Sequence, residues 1–500
     1  MAAQPKEAKG AQATVKNAKG IRIRMYRLGI GDCFLLTLPR SDGTPFHMLI
    51  DCGIHMSETN GAGRIRTAVQ DILAATGGTL DVVVGTHEHW DHLSGFYHAA
   101  DLFKAGCARS IWCAWTEDQR DAFAKSLQKN RDEGVAALWG AVRRLHMAEA
   151  YGDQTAAHES PRSWDGVLGF FGDSPGVGVK AKAAADAMRA LVASGSDIVY
   201  RSPGEAPFDE ISLEWRFFVL APPRDKGLLK HADPRAGSAE AYPLAADLHA
   251  VQLGVVNLAG AVSDDDDPPF APRFQIPLES TRSLPFFQEH YWMDQAAGDI
   301  DADPDGDGAQ EDSTQDWRRI GNSWLDGAET LALQLDKITN NTSLVLALEI
   351  GPKEAKGNPV VLFAADAQVG NWLSWKTVEW PDYAGRSVSG PDLLRRTVVY
   401  KVGHHASQNA TLMEGGLEAM TNLRLALIPT SAEMAGKVKW GTLPWQTLLD
   451  RLTMVTSDRV LRSDTGPSAN ALATPGVTVE ADPKGTYFDI TLPLDLKVKP

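Results

Sequence analysis

Apolar and basic side chains alternate through IRIRMYRL (21–28), a period-two pattern that puts Ile21, Ile23 and Met25 on one face of a strand. A Gly-Ile-Gly-Asp turn leads into CFLLTL (33–38), and FHMLIDCG (46–53) is a third strand that ends in Asp51 and Gly53. Residues 62–76 repeat apolar positions at helical spacing, and LDVVVGTH (80–87) reads as another buried strand. Residues 116–150 and 178–195 are rich in Ala, Leu and Arg at helical spacing. ISLEWRFFVLAPP (211–223) returns to strand character and stops at its proline pair.

Periodicity is lost over residues 224–316, where SDDDDPP, APRFQIPLES and DQAAGDIDADPDGDGAQEDS have the composition of loop or disorder. A helix is predicted around 317–336, followed by strands TSLVLALEI (342–350), NPVVLFAAD (358–366), RTVVYKVGHH (396–405) and LRLALIPT (423–430). A helix and a hairpin-like pair, VTVEAD and TYFDITLPL, come last. Strands that end in polar residues and alternate with helices predict a layered α/β fold with its site at the strand ends.

Composition is ordinary for a globular protein: of 500 residues, 43% are hydrophobic and 23% charged, enough to bury a large core. The first 19 residues have no apolar stretch and read as a disordered tail, not a signal peptide. No apolar run approaches the ~20 residues of a membrane span. Four scattered cysteines (Cys33, Cys52, Cys107 and Cys113) form no close pair and predict reduced thiols in a cytoplasmic protein without a membrane partner. The net charge of −15 argues at first against nucleic acid. Asp264 to Asp267 supply four of those charges, and Asp294, Asp299, Asp301, Asp303, Asp305, Asp307, Glu311 and Asp312 supply eight. Without these twelve the remainder is near −3, so bulk charge says little about the site.

Ionisable groups crowd in a different way in GTHEHWDHLSGF (85–96). Directly after Val82-Val83-Val84, six positions hold His87, Glu88, His89, Asp91 and His92. Imidazole suits zinc, iron and manganese, and a carboxylate can bridge two ions. The spacing His87-x-His89-x-Asp91-His92 offers four donors from one turn, two able to face one ion and two another. A lone histidine after a strand is more often a plain loop residue; this grouping is a metal motif.

THEHWDH resembles the signature of the metallo-β-lactamase fold hydrolases, and further marks of that family, LIDCG, LFAADAQ and KVGHHAS, follow along the chain. LGIGDCFLL (28–36), NNTSLVLALEIG (340–351), LFAADAQ and KVGHHAS resemble, in that order, the hydrolase domain of the bacterial DNA-uptake competence channel and its stand-alone relatives. The likeness covers roughly residues 21–465 and omits that channel's membrane segments. It implies an α/β fold of four-layer αββα type with metals between the sheets at one edge. It also implies one catalytic domain over 20–500, with helical and acidic-loop insertions at about 116–210 and 224–316. The implied ligands are His87, His89, Asp91, His92, Asp366 as the bridging acid, and His405. His404 would be a phosphate contact or proton donor, with an exchange of roles between His404 and His405 left open. Asp51 would orient the metal loop. The implied cofactor is zinc, one or two ions, with manganese as the alternative.

Two-metal members add a separate histidine to the first ion. The candidates here, His146, His158, His231, His249 and His290, follow no strand in a recognisable motif, and each reads as a surface or loop histidine. The third ligand of that ion is therefore open. WGTLP (440–444) also lacks the histidine of the competence group's late Gly-His-Pro, which puts more weight on His404 and His405. DADPDGDGAQED (301–312) places Asp301, Asp303, Asp305, Gly306 and Asp307 at the spacing of a calcium loop. Gly308 and Asp312 replace its apolar residue and its bidentate Glu, so the segment reads as a solvated acidic loop.

The expected activity is metal-dependent hydrolysis: a metal-bound hydroxide attacks a phosphorus or carbonyl centre, and His404 or Asp91 protonates the leaving group. Lys401, Ser407 and Asn409 are candidate phosphate contacts. A phosphodiesterase or nuclease, acting on a small-molecule or nucleic-acid phosphodiester, comes first, by analogy with the subgroup. A thioester, lactone or lactam hydrolase comes second, and a metal-poor binding or regulatory protein third. No motif specifies the substrate or the oligomeric state.

Overall fold

The computed structural model describes residues 20–150, 180–208, 213–233, 285, 334–383, 385–437 and 443–498. The expectations for the tail, the acidic loop 294–312 and most of the helix around 317–336 lie outside the described residues. The chain divides into two compact units, residues 1–133, 159–247 and 332–500 forming one and 134–158 and 248–331 the other. Every described strand belongs to the first unit.

Its early strands are β1 (Gly20–Tyr26), β2 (Cys33–Pro39), β3 (Pro45–Cys52), β4 (Leu80–Gly85), β5 (Ala108–Ala114), β6 (Ile198–Arg201) and β7 (Trp215–Ala221). The later ones are β8 (Val345–Ile350), β9 (Val360–Phe363), β10 (Glu379–Tyr383), β11 (Arg386–Ser389), β12 (Thr397–Lys401), β13 (Leu425–Ile428), β14 (Val460–Arg462), β15 (Thr478–Ala481) and β16 (Tyr487–Pro493). Eight of them form a sheet in the order β15-β16-β1-β2-β3-β4-β5-β6, six form a second in the order β14-β13-β12-β9-β8-β7, and β10 pairs with β11 alone. In the first sheet β3, β4, β5 and β6 run parallel; in the second β9, β12, β13 and β14 do. Their carboxyl ends are where an α/β protein places its site.

The period-two alternation decides which core each side chain joins. Ile21, Ile23, Met25, Phe34 and Leu36 of the eight-stranded sheet share one core with Phe217, Val219, Leu346, Leu348 and Val361 of the six-stranded sheet, so the two sheets pack face to face. The opposite faces are also buried. Leu35, Leu49 and Val83 pack on α1 (Gly61–Thr76) and α2 (Trp90–His98) through Ile65, Val69, Ile72, Leu93 and Phe96. Two further helices are α3 (Ala122–Ala150), of which residues 122–133 belong to this unit and the rest to the other, and α4 (Lys180–Arg189). Phe218, Leu220, Val345 and Leu362 pack on α5 (Val369–Trp375), α6 (Gly390–Arg395) and α7 (Gln446–Thr456) through Trp372, Trp375, Leu393 and Leu452. The unit is thus mixed α/β with two large sheets. The four cysteines are buried and free, and among the described residues no helix is long and apolar enough to cross a membrane.

Candidate metal centre

The parallel strands deliver the polar residues to one rim. β3 ends at Asp51, β4 runs on into residues 86–92, β9 leads to Asp366, and β12 leads to Lys401, His404 and His405. The backbone turns sharply there: Asp51 (φ 54°), Ala365 (φ 47°) and the consecutive His404, His405 and Ala406 (φ 40°, 51° and 62°) are all left-handed. Each such non-glycine residue costs about 1–2 kcal/mol, and strain of this kind gathers at functional sites. Gly53 has its own reason to lack a side chain, since a Cβ there would overlap the Asp91 carbonyl.

Hydrogen bonds on one nitrogen of each ring fix what the other can do. His405 Nδ1 donates to the Pro429 carbonyl (2.8 Å), which leaves Nε2 facing Asp91 (2.9 Å) and Asp366 (3.5 Å). His92 Nδ1 meets Asp51 Oδ2 at 2.8 Å, which turns Nε2 toward Asp366 Oδ2 (3.2 Å) and Asp91 Oδ2 (3.7 Å). The Thr86 hydroxyl donates to Asp51 Oδ2 (2.7 Å), so it can only accept from His87 Nδ1 (3.1 Å). The Nε2 lone pair of His87 therefore points at His89 Nδ1, 3.1 Å away. Asp51 holds Thr86 and His92 and so shapes the loop without entering the ligand group.

One donor atom each from Asp91, His92, Asp366 and His405 lie within 4.8 Å of one another, all four residues buried. His92 Nε2, Asp91 Oδ1 and both Asp366 oxygens are buried without a hydrogen bond. Buried donors of this kind call for a cation, and this His/Asp group could hold a metal ion. A second grouping, Asp32, Asp51 and His92, is met by a cation of the chain itself: the buried Lys401 ammonium contacts Asp32, donates to the Ala365 carbonyl (2.7 Å) and lies 3.5 Å from Asp366.

Electrostatics follow from this crowding. Burial pushes the His92 pKa down, but Asp366, Asp91, Asp51 and Asp32 together raise it well above the usual imidazole range. His405 is raised for the same reason, its burial outweighed by Asp366 and Asp91. Burial would push the Asp366 pKa up, yet His92, His405 and Lys401 hold it well below that of an ordinary carboxylate. His89 is lowered to about 3, chiefly by burial.

His405 joins the donor group and His404 does not. His404 Nε2 accepts from the Asn340 amide (3.1 Å); its Nδ1 meets Ser407 Oγ (2.6 Å), whose own proton goes to Asn409 (3.0 Å). Burial lowers the His404 pKa, which suits an acceptor more than the proton donor expected of it. The expectation that Lys401 meets phosphate is corrected: its ammonium is buried beneath the donor group. Among the histidine candidates for the first ion, His231 joins no donor group, and the side chains of His146, His158, His249 and His290 lie outside the described residues.

Sequence reasoning missed Asp336. It lies on a short helix, residues 334–340, and is buried with Oδ1 3.9 Å from His89 Nε2 and Oδ2 bound by Asn340 (3.2 Å). Burial, Asp366 and Asp91 push its carboxyl up to about 8. Its one sequence signal was its place four residues before the NNTSL strand. No protein-family model matches this chain, and no curated protein does.

Proposed function

We propose that the protein is a metal-dependent hydrolase of the metallo-β-lactamase fold that cleaves phosphodiesters. The observation that carries the reading is the meeting of Asp91, His92, Asp366 and His405, drawn from three distant segments, with one donor atom of each within 4.8 Å of the others. The fold assignment draws support from two facing sheets with helix-packed outer faces, an αββα order. The phosphodiester draws on the likeness of NNTSL, LFAADAQ and KVGHHAS to the competence hydrolase domain, an analogy of subgroup.

Charge favours bound cations. Asp32, Asp51, Asp91, Asp336 and Asp366 are buried together with Lys401, the one buried ammonium among the described residues. With Asp336 protonated, three negative charges are left over, which favours bound divalent cations. Asp91, His92, Asp366 and His405 would hold one, His87 Nε2 and His89 Nδ1 the other, with Asp366 shared. Bound there, such ions supply a water of lowered pKa and offset negative charge that develops on the substrate. Zinc fits the donors, and manganese is the alternative.

The protein's own groups do the rest. Asn340, His404 and Ser407 form a polar, hydrogen-bonded edge beside the donors, suited to orient an anionic substrate. Asp336, a buried carboxyl 3.9 Å from His89 Nε2 and pushed up to about 8 before any cation binds, is the group we assign to hand a proton to the leaving oxygen. The test is metal analysis of protein purified without chelator. Assays on bis-para-nitrophenyl phosphate, single-stranded DNA, RNA and thioesters come next, each with zinc and with manganese. Fewer than one transition metal per chain sinks the enzyme reading; turnover of thioesters alone sinks the phosphodiester.

A further inference from the structure

Glu88 belongs to the metal motif by position but not by direction. The chain bends at His87 and Glu88, so that His87 Nε2 and His89 Nδ1 come within 3.1 Å while the Glu88 side chain turns away from them. There the Glu88 carboxylate meets two guanidinium groups, Arg131 Nη2 of α3 on one oxygen and Arg189 Nη2 of α4 on the other, each at 2.7 Å. All three side chains are largely buried, at 11%, 16% and 21% exposure for Glu88, Arg131 and Arg189. Glu117 lies behind them, 3.6 Å from Arg131 and 3.7 Å from Arg189. Both bonds are charge-assisted and short, so the carboxylate is fixed at both oxygens.

We propose that Glu88 is a positioning residue: gripped by Arg131 and Arg189, it sets the direction in which His87 and His89 present their ring nitrogens to an ion. The proposal rests on the hydrolase reading above, because it gives the clamp a task only if that ion binds. The two helices hold the loop from outside while Thr86 and Asp51 hold it from within, so His87 is fixed on both sides. Loss of both arginines leaves a buried carboxylate without a counter-charge, and the loop must move to bring it to water.

The experiment compares wild type, Glu88→Gln, and the triple variant E88L/R131M/R189M, which swaps the clamp's three charges for apolar groups; Glu117, whose carboxyl burial pushes up to about 8, then stays neutral at pH 7, and the fold is kept. Zinc affinity and stoichiometry are read by titration, the ligand field by the absorption of the cobalt-loaded protein, and folding by circular dichroism. Glu88→Gln keeps an acceptor oxygen for one arginine but turns an NH2 toward the other, so its zinc affinity should fall between wild type and the triple variant. The triple variant should fold, lose about 10–100-fold in affinity for one of two zinc ions, and show an altered cobalt spectrum. A folded triple variant with wild-type affinity and spectrum overturns the proposal alone. Wild-type protein that takes up no metal overturns the hydrolase reading, and the proposal with it.

Discussion

Replacing Asp336 by Asn should make the metal-stripped protein more stable at alkaline pH while it removes activity. The carboxyl is raised from the ordinary aspartate value of 3.8 to about 8, by burial first and by Asp366 and Asp91 next. Between those two values the folded chain holds a proton that the unfolded chain releases, so stability must fall as pH rises through that window and level off above it. At about 1.4 kcal/mol per pH unit the ceiling is about 6 kcal/mol; an effective interior dielectric near 20 brings the expected cost to about 2–4 kcal/mol. Asn keeps an oxygen for the Asn340 amide and cannot ionise. Glu117, which burial and Glu88 push up to about 8, titrates in both proteins and cancels. The assay is urea unfolding of chelator-treated wild type and Asp336→Asn at pH 5 and at pH 8.5. The two should lie close at the lower pH, with the variant ahead by about 2–4 kcal/mol at the higher. A gap that does not change with pH, or a less stable variant at pH 8.5, refutes the reasoning. Zinc should narrow the gap, because bound cations relieve the repulsion that raises the wild-type carboxyl.

The same geometry sets the outcome of other changes. Asp366→Ala or His89→Ala should abolish hydrolysis and leave circular dichroism unchanged, since the cores that fold the chain are apolar; near-full activity on the true substrate would place the site elsewhere. His405→Ala should reduce the metal bound per chain, whereas His404→Ala should keep the metal and alter turnover, as read by metal analysis beside the assay. Saturating zinc, at about a hundred times its dissociation constant, should add about 2.7 kcal/mol to unfolding stability, and a chelator should take it away. Deleting residues 294–312 should leave metal uptake unchanged if that acidic stretch is only solvated; a large loss would revive its reading as a calcium loop.

Local pattern was enough to mark the strands and the His87-x-His89-x-Asp91-His92 cluster, because strand alternation and a six-residue motif depend on neighbours in the chain. β4 could be read from Val82-Val83-Val84 and β8 from its apolar run for the same reason. β5, β6, β10, β11 and β14 were not foreseen. β6 and β14 are only four and three residues long, and β5, whose sequence is ARSIWCA, begins with polar residues; each takes its form from the strand beside it. Only the tertiary structure turned His405 toward Asp91 and His404 toward Asn340, buried Lys401 under Asp366, aimed Glu88 at two arginines, and brought Asp336 to His89 across 247 positions of chain. The sequence names the groups that can bind a cation, since that is a property of each side chain. Which of them meet is decided by how the sheets pack, and packing is a property of the whole chain.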